Sequence, residues 1–454
     1  MSATYQPDKL LTFRYPNFNP AFPEKMRRFS IAQPLDQLIL RHDVGRIIEK
    51  LDSILSDRVC SYRLDSNSPK YLPWTLKHKK ECWQNWIDRS IALLRTGRHS
   101  IMCQTDVAQY YPTVRTSILE RLLCDNSCDA SAVQRIVHVL RCWQQVEGLE
   151  GLPIGVEASA VLGNAYLDQI DRAIIGLGGN HFRFADDIFI FAENRSTGDA
   201  LLDVVDENLR MLGLQRSIPK TKWFEDPEEA ISSLRRSRLS SLRGALREPE
   251  LRGERELRLA FDQLFEDVSQ TDPSVFRFIV NALKNREDDY GCVLMAREAT
   301  LMNVDPRVSG EYLAVGLPKG RANRTRVIEA CLTQLSQTDG EHFNGLRLHL
   351  LRAMASTKCG ELEGNDFMKF AIDDSQPWPV RNFAWHAYAQ SAARKDSVVM
   401  EAAREEREPN VRRAIIATLK TSKGGKRTRR KFLRHAARTF PESRFTVEWV
   451  RRAA

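Results

Sequence analysis

Two adjacent acids, Asp186-Asp187, sit within His181-Phe182-Arg183-Phe184-Ala185-Asp186-Asp187-Ile188-Phe189-Ile190-Phe191-Ala192. The aromatic and β-branched residues on either side predict a β-hairpin with the carboxylates at its tip. Adjacent ionised acids repel, and a divalent cation is one reason to place them together; a hairpin turn that binds nothing is the other reading. Two further pairs, Asp288-Asp289 and Asp373-Asp374, have polar flanks and read as solvated loops. About 80 residues before the hairpin acids, the strand-like segment 100–107 carries Asp106, followed by Tyr110-Tyr111-Pro112. One strand-end acid beside an acid pair on a neighbouring hairpin can hold two Mg²⁺ ions about 3.5–4 Å apart. That arrangement serves in-line nucleotidyl transfer: one ion activates the attacking hydroxyl and the other neutralises the triphosphate and leaving pyrophosphate.

The elements around these acids must position them. Gly151-Leu152-Pro153-Ile154-Gly155 opens a helix predicted to run to about residue 175. Gly155 allows a close backbone approach by template or nucleotide, and a helix N-terminus favours phosphate; a plain helix-entry turn is the alternative. After the hairpin, a helix from about residue 197 ends at Gly213 and leads to Pro219-Lys220-Thr221-Lys222. Lys220 or Lys222 can donate a proton to departing pyrophosphate; otherwise each is a solvated surface lysine.

The chain is 454 residues, long for one domain, with 42% hydrophobic and 28% charged residues, which excludes a disordered or fibrous protein. No apolar run approaches the roughly 20 residues of a membrane span, and the first residues lack a secretion-signal layout. Nine scattered cysteines with no CxxC read as reduced thiols in a cytoplasmic protein. The net charge of +9 is localised: residues 420–454 hold 12 Lys/Arg against Glu442 and Glu448, so the remainder is nearly neutral. Lys423-Gly424-Gly425-Lys426-Arg427-Thr428-Arg429-Arg430-Lys431 therefore reads as a phosphate-binding segment, salt-dependent and sequence-blind, or else as a solvated end.

From about residue 235 onward the sequence reads as helix after helix. Pro precedes Val at residues 273–275, 306–308, 379–380 and 409–411, with the valines 33, 72 and 31 residues apart. A helix pair every 30 to 40 residues suggests a HEAT-type α-solenoid; a bundle with Pro-initiated helices is the alternative. The charged, Ser-rich stretch 225–255 is the expected junction.

In order and spacing the motifs resemble those of reverse transcriptases: Asp106 to Pro112, Gly151 to Gly155, Phe184-Ala185-Asp186-Asp187 and Pro219 to Lys222. The resemblance covers roughly residues 30–225. It implies an α+β right-hand polymerase (fingers and palm) followed by an all-α HEAT-like repeat domain. The implied divisions are an N-terminal segment and fingers at 1–95, palm at 96–230, helical repeats at 231–419 and a basic segment at 420–454. Carried over residue by residue, Asp106 and Asp186 are metal ligands, Asp187 a supporting acid and Lys220 the general acid, with Mg²⁺ as cofactor. Tyr111 is the gate beneath the sugar, whose ring clashes with a 2′-hydroxyl, and Arg63 touches the triphosphate. Outside the resemblance, the charge of the basic segment makes Lys426, Arg427, Arg429, Arg430 and Lys431 the expected nucleic-acid contacts.

The departures are informative. Ile154 stands where many reverse transcriptases have Gln, and Phe184-Ala185 where they have Tyr or Val. Leu-Pro-Ile-Gly followed by Glu-Ala-Ser looks like the abortive-infection and other defence-associated bacterial enzymes. No HNH signature and no retron-type Asn-Ala-x-x-His or Val-Thr-Gly element is present. The resemblance implies an antiphage role and, as partners, deoxynucleotides, RNA or single-stranded DNA, a dedicated noncoding RNA and further copies of the chain. Some members prime DNA from a protein tyrosine, for which Tyr290, Tyr312 and Tyr388 are candidates; half-buried rings with surface hydroxyls are the plainer reading. Two alternatives remain. An RNA polymerase with the same palm is disfavoured by Tyr111, and a relict palm on a nucleic-acid-binding scaffold by the intact acids.

Overall fold

A computed structural model of the chain describes residues 7, 10–16, 26–67, 74–147, 151–235, 250–266, 271–318, 320–338, 340–421 and 425–452. Lys423, Gly424 and much of the 225–255 junction lie outside the described residues. Two compact units emerge: Met1–Thr12 with Phe29–Ser237, and Phe13–Arg28 with Arg238–Ala454.

Strands β1 (Leu11–Pro16) and β2 (Met26–Ile31) form a two-stranded sheet. From Phe29 the first unit runs through helices α1 (Pro34–Gly45), α2 (Ile48–Ile54) and α3 (Lys79–Arg95) to β3 (Ile101–Asp106). Helices α4 (Tyr110–Thr113), α5 (Thr116–Asp125), α6 (Ala130–Glu147), α7 (Glu157–Tyr166) and α8 (Asp168–Gly176) precede the hairpin of β4 (Asn180–Phe184) and β5 (Asp187–Ala192). Helix α9 (Arg195–Met211), β6 (Lys222–Phe224) and α10 (Pro227–Arg235) complete it. The main sheet is antiparallel, in the order β4-β5-β3-β6.

Strand alternation divides this sheet into two faces. Cys103, Ile188 and Ile190 join the larger core, built with residues of α1, α6, α7 and α9. Met102, Phe182, Phe184, Phe189 and Phe191 form a second core with Trp86 and Leu94 of α3 and Ile231 of α10. Trp86 stacks on Phe189 with ring centroids 4.1 Å apart. With both faces covered, the sheet is a rigid support for whatever stands at its strand ends.

The second unit is helical: α11 (Glu250–Glu266), α12 (Pro273–Asn285), α13 (Cys292–Arg297), α14 (Ala299–Met302), α15 (Pro306–Gly316), α16 (Arg324–Gln337), α17 (Asn344–Met354), α18 (Glu361–Ile372), α19 (Trp378–Gln390), α20 (Asp396–Glu405), α21 (Pro409–Thr418), α22 (Lys426–Thr439) and α23 (Arg444–Arg452). The side chains of Asp272, Asp305 and Glu408 cap α12, α15 and α21, each with Pro in the first turn. Helices α12, α15, α17, α19, α21 and α23 form a row in which each packs on the next.

A repeating arginine stitches part of that row. Arg347, Arg381 and Arg412 are each the fourth residue of their helix and donate to a carbonyl at or just past the end of the preceding element. Arg347 reaches Thr338 O at 2.9 Å, Arg381 reaches Ala371 O at 3.1 Å, and Arg412 bonds Glu406 O. Guanidinium donors there satisfy orphan carbonyls at the negative end of the helix dipole. Among the described residues, no helix is long and apolar enough to cross a membrane.

Candidate active site and its relatives

The acids are brought together by strand register. Asp106, last residue of β3, lies directly opposite Asp187, first residue of β5, so both side chains emerge on one face of the sheet. Between β4 and β5 only Ala185 and Asp186 form the turn, and Ala185 adopts a left-handed φ of 57°. Val107 N–H donates to Asp186 O at 3.2 Å, tying the turn to the end of β3. Asp106 is 3% exposed, and its Oδ1 is buried without a hydrogen-bond partner. Burial, then the nearby charges of Asp186 and Asp106, push the Asp187 carboxyl up to about 7.

Lys220 reaches the same point from the far side. It closes a 3₁₀ turn (Ile218–Lys220) held by Ser217 N–H donating to Asp106 O at 2.8 Å. Its ammonium pairs with Asp106 Oδ2, while its side chain remains 52% exposed. Thr221 Oγ1 bonds Thr105 Oγ1 at 2.9 Å and accepts from Arg216, itself paired with Asp206 at 2.8 Å. Lys222 is exposed on β6.

Tyr111 is half-buried beside these acids. Its phenol is pushed well up by burial, then by Tyr62 and Asp186. Tyr110 is fully buried and donates to Gly163 O. Leu152 N–H donates to Tyr111 O at 2.8 Å, and Gly151 (φ 80°) passes so close that a Cβ there would sit 2.2 Å from Tyr111 O. Gly155 (φ 104°) likewise abuts the Phe29 ring and Ser30 O, each within 2.8 Å of a hypothetical Cβ. The close approach expected there of a nucleotide is thus one the chain itself makes, reinforced by Ser30 N–H donating to Ile154 O at 2.7 Å.

Arg63 differs from its sequence expectation. Its guanidinium is engaged with Asp52 at 2.8 Å and with Ser56 O and Val59 O, at 2.8 and 3.2 Å. It braces the loop at 56–63 through the Asp52 carboxylate on α2 and the loop's own carbonyls. In that loop Tyr62, at a left-handed φ of 50°, places its phenol against Tyr111 and near Asp186. Ser61 Oγ accepts from Ala185 N–H at 2.7 Å, and Cys60 N–H donates to Arg183 O at 2.9 Å.

Behind the acid turn lies a buried ionic network that the sequence reading missed. Asp171 and Arg183 are both fully buried and joined in fork geometry, Nε to Oδ1 at 2.9 Å and Nη2 to Oδ2 at 2.6 Å. His181 Nε2 bonds the same carboxylate at 2.9 Å. Burial alone raises an acid, but Arg183 and His181 hold Asp171 below its usual range. The remaining guanidinium donors go to Asn164 Oδ1 at 2.8 Å and to Ala185 O at 3.0 Å, so this ion pair directly supports the turn that carries Asp186.

Other candidates fall elsewhere. Asp288 differs from the solvated acid expected, its side chain only 8% exposed and paired with Arg258 at 2.9 Å, while Asp373 accepts from Ser375; both are structural acids. Tyr312 and Tyr388 are buried in the helical unit, with their hydroxyls on Gly291 N–H and Ala393 O. Tyr290 is exposed and donates to Asp262. Of the five basic side chains expected on the phosphate-binding face, Lys426, Arg427, Arg430 and Lys431 are exposed. Arg429 is buried with Phe432 and Leu433 on the inner side of α22, so the face offers four of them.

Residues 46–242 match the family model for reverse transcriptase (RNA-dependent DNA polymerase). The chain carries a reverse transcriptase domain. By that domain it is an enzyme, an RNA-directed DNA polymerase, and the fold around the acid-bearing strands is of that polymerase type. Solved structures similar to the chain include apo telomerase from Candida tropicalis, at 10% identity and a TM-score of 0.35, covering 74% of this chain and 67% of that one. Telomerase from Candida albicans in complex with a fragment of telomeric RNA is similar at 12% identity and a TM-score of 0.36, covering 75% and 64%. No curated protein matches.

Among the described residues, no group of three or more His, Cys, Asp or Glu side chains is arranged as a ready metal cluster. The acid end of the reverse transcriptase domain nevertheless fits a divalent cation. It presents a partnerless buried oxygen on Asp106, two further carboxylates beside it, and the half-exposed Lys220 ammonium as counter-charge.

Proposed function

We propose that the chain is a Mg²⁺-dependent DNA polymerase of the abortive-infection, defence-associated bacterial type, acting on deoxynucleotides with RNA or single-stranded DNA. The observation that carries the site assignment is the register Asp106 opposite Asp187 with a partnerless buried oxygen on Asp106. Asp106 and Asp186 hold the metal and Asp187 supports them; Mg²⁺ bound there supplies Lewis-acid activation of the attacking hydroxyl and neutralisation of the phosphates. Lys220, released from Asp106, protonates the leaving pyrophosphate. Tyr111 shapes the sugar pocket. The row of alternating helices with its repeated arginine supports a HEAT-like solenoid in the second unit. The division at 1–95, 96–230, 231–419 and 420–454 is part of this reading, as are a cytoplasmic location, a dedicated noncoding RNA and assembly into oligomers. The defence role rests on the resemblance of the Leu152-Pro153-Ile154-Gly155 loop and of the helical region.

The test purifies the chain without nuclease treatment and adds Mg²⁺ with labelled nucleotides one at a time, then splits the products with protease or nuclease. Label released only by protease indicates tyrosine-primed synthesis, and free DNA dependent on intact co-purified RNA indicates a bound template. No incorporation under any condition, with RNA still tightly held, overturns the polymerase assignment in favour of a nucleic-acid-binding scaffold. Cells carrying an Asp186→Asn chain should lose phage protection; retained protection overturns the defence role of the catalytic site.

Two variants refine the reading. Tyr111→Ala should raise ribonucleotide incorporation relative to deoxynucleotide by roughly ten-fold or more, measured as a ratio of kcat/KM; an unchanged ratio removes Tyr111 as the gate. Replacing Lys426, Arg427, Arg430 and Lys431 by Ala should weaken nucleic-acid binding irrespective of sequence. The log–log salt slope should flatten by about 0.7–0.9 for each phosphate no longer neutralised, and an unchanged slope argues against that face.

A further inference from the structure

The last two helices described pair through a short 3₁₀ turn (Pro441–Ser443) and pack on each other, α23 also on α21 and α22 on α20. Helix α23 buries Val447 and Val450 and turns Phe445 and Trp449, one helical turn apart, to solvent. Phe445 is 83% exposed and Trp449 45% exposed. Lys420 Nζ lies 3.8 Å from the centre of the Trp449 ring. Arg444, Arg451 and Arg452 share the helix and are exposed, as are Lys426, Arg430 and Arg434 on α22.

A solvated Phe forgoes about 1.5–3 kcal/mol of burial, so one isolated ring is common and needs no explanation. Two rings spaced i, i+4 on the outward side of a helix with three exposed arginines against one exposed acid, Glu448, are a different case. The cations discourage a second apolar protein surface from settling there. They attract a polyanion, and among polyanions only an unpaired nucleic acid has flat faces free to meet the rings.

We infer that the outer surface of α22 and α23 is a platform for single-stranded nucleic acid, on which Phe445 and Trp449 stack unpaired bases while the surrounding Lys and Arg hold the phosphates. This rests on the nucleic-acid reading of the basic segment and adds what that reading does not contain, a preference for unpaired strands carried by two rings. The shared chemistry is base plus phosphate, available from RNA or from DNA.

The test uses the full chain and fluorescence anisotropy with three labelled probes: a 20-mer of thymidylate, a 20-mer of uridylate and a 20-base-pair DNA duplex. The intact protein should prefer the single strands. Phe445→Ala should weaken single-strand binding by about five-fold to a hundred-fold, leaving the duplex affinity and the salt slope unchanged, because stacking and phosphate contact are separable. Trp449→Phe, which keeps a ring beneath Lys420, should lose less than Phe445→Ala. A larger loss on thymidylate than on uridylate identifies DNA as the source, and the reverse identifies RNA.

Equal losses on duplex and single strand, or no loss with Phe445→Ala, overturn the inference. If the Arg430→Ala, Lys431→Ala variant weakens all probes while Phe445→Ala weakens none, the platform fails and the phosphate face stands; if neither has an effect, both fail. Sedimentation velocity covers the remaining occupant: a self-association that Phe445→Ala abolishes, with single-strand binding intact, assigns the rings to a second copy of the chain and overturns the platform.

Discussion

Asp106→Asn should abolish nucleotide addition while leaving the protein folded and no less resistant to heat. The side chain is buried at the end of a central strand, one oxygen on Lys220 and the other without a partner, facing Asp187 across the register. Asn preserves the shape and removes one of three crowded negative charges, so the repulsion that raises Asp187 falls. In the Lys220 ion pair given up in exchange, the carboxylate is buried but the ammonium is 52% exposed and keeps its hydration when the charge opposite it is removed. A carboxylate that only completed the fold would show the opposite pattern, with stability reduced and activity following it. Activity should drop by about a thousand-fold or more, near 4 kcal/mol of transition-state stabilisation. Primer extension and a thermal melt on the same preparation decide the matter: activity within ten-fold of the parent chain removes Asp106 from the metal-binding role.

The second large effect is structural. Arg183→Met leaves Asp171 ionised and wholly buried with only His181 beside it, and breaking such a pair costs about 3–5 kcal/mol. That is a large part of the 5–15 kcal/mol by which a typical domain is stable, so urea unfolding should shift plainly to lower concentration. The companion variant separates stability from support of the acid turn. Asp171→Leu together with Arg183→Met removes both charges and should regain much of the forfeited stability. It should not regain activity, because Ala185 O and Asn164 Oδ1 still lack the guanidinium that fixes the turn before Asp186. If the double variant polymerises normally, the network is a packing device with no bearing on the site.

The legible parts of this site are those written in local pattern. The aromatic-rich strands around Asp186-Asp187 and the strand ending at Asp106 announce their elements, because a strand covered on both faces reads as a short apolar run bounded by turn residues. Arg183 and His181 carry a fainter signal: alternating with Phe182 and Phe184, two basic residues share one face, and a covered face demands a counter-charge. That partner, Asp171, sits on α8, where an acid in a first turn is unremarkable. Arg63 resembles a phosphate ligand in sequence for the same reason, since Asp52 lies on a different element and only the folded loop brings them within 2.8 Å. Arg429 follows the helical period instead, and Phe432 and Leu433, at i+3 and i+4, are enough to predict its burial. The arginines at 347, 381 and 412 are hidden because their partners are backbone carbonyls, which no sequence pattern displays.

The position of β3 has a consequence for how the protein is made. It is the central strand, flanked by β5 and β6, and both neighbours are synthesised after it. When residue 106 leaves the ribosome, 118 residues remain before the end of β6. At 5–20 residues per second that interval is about 6–24 s. Until β5 is complete at residue 192 the strand has two open edges, and one of them stays open until residue 224; such edges recruit strands from other chains. The polymerase centre is therefore among the last features of its domain to form, and yield in the cell is set by whatever shields that strand until the ribosome has delivered residue 224.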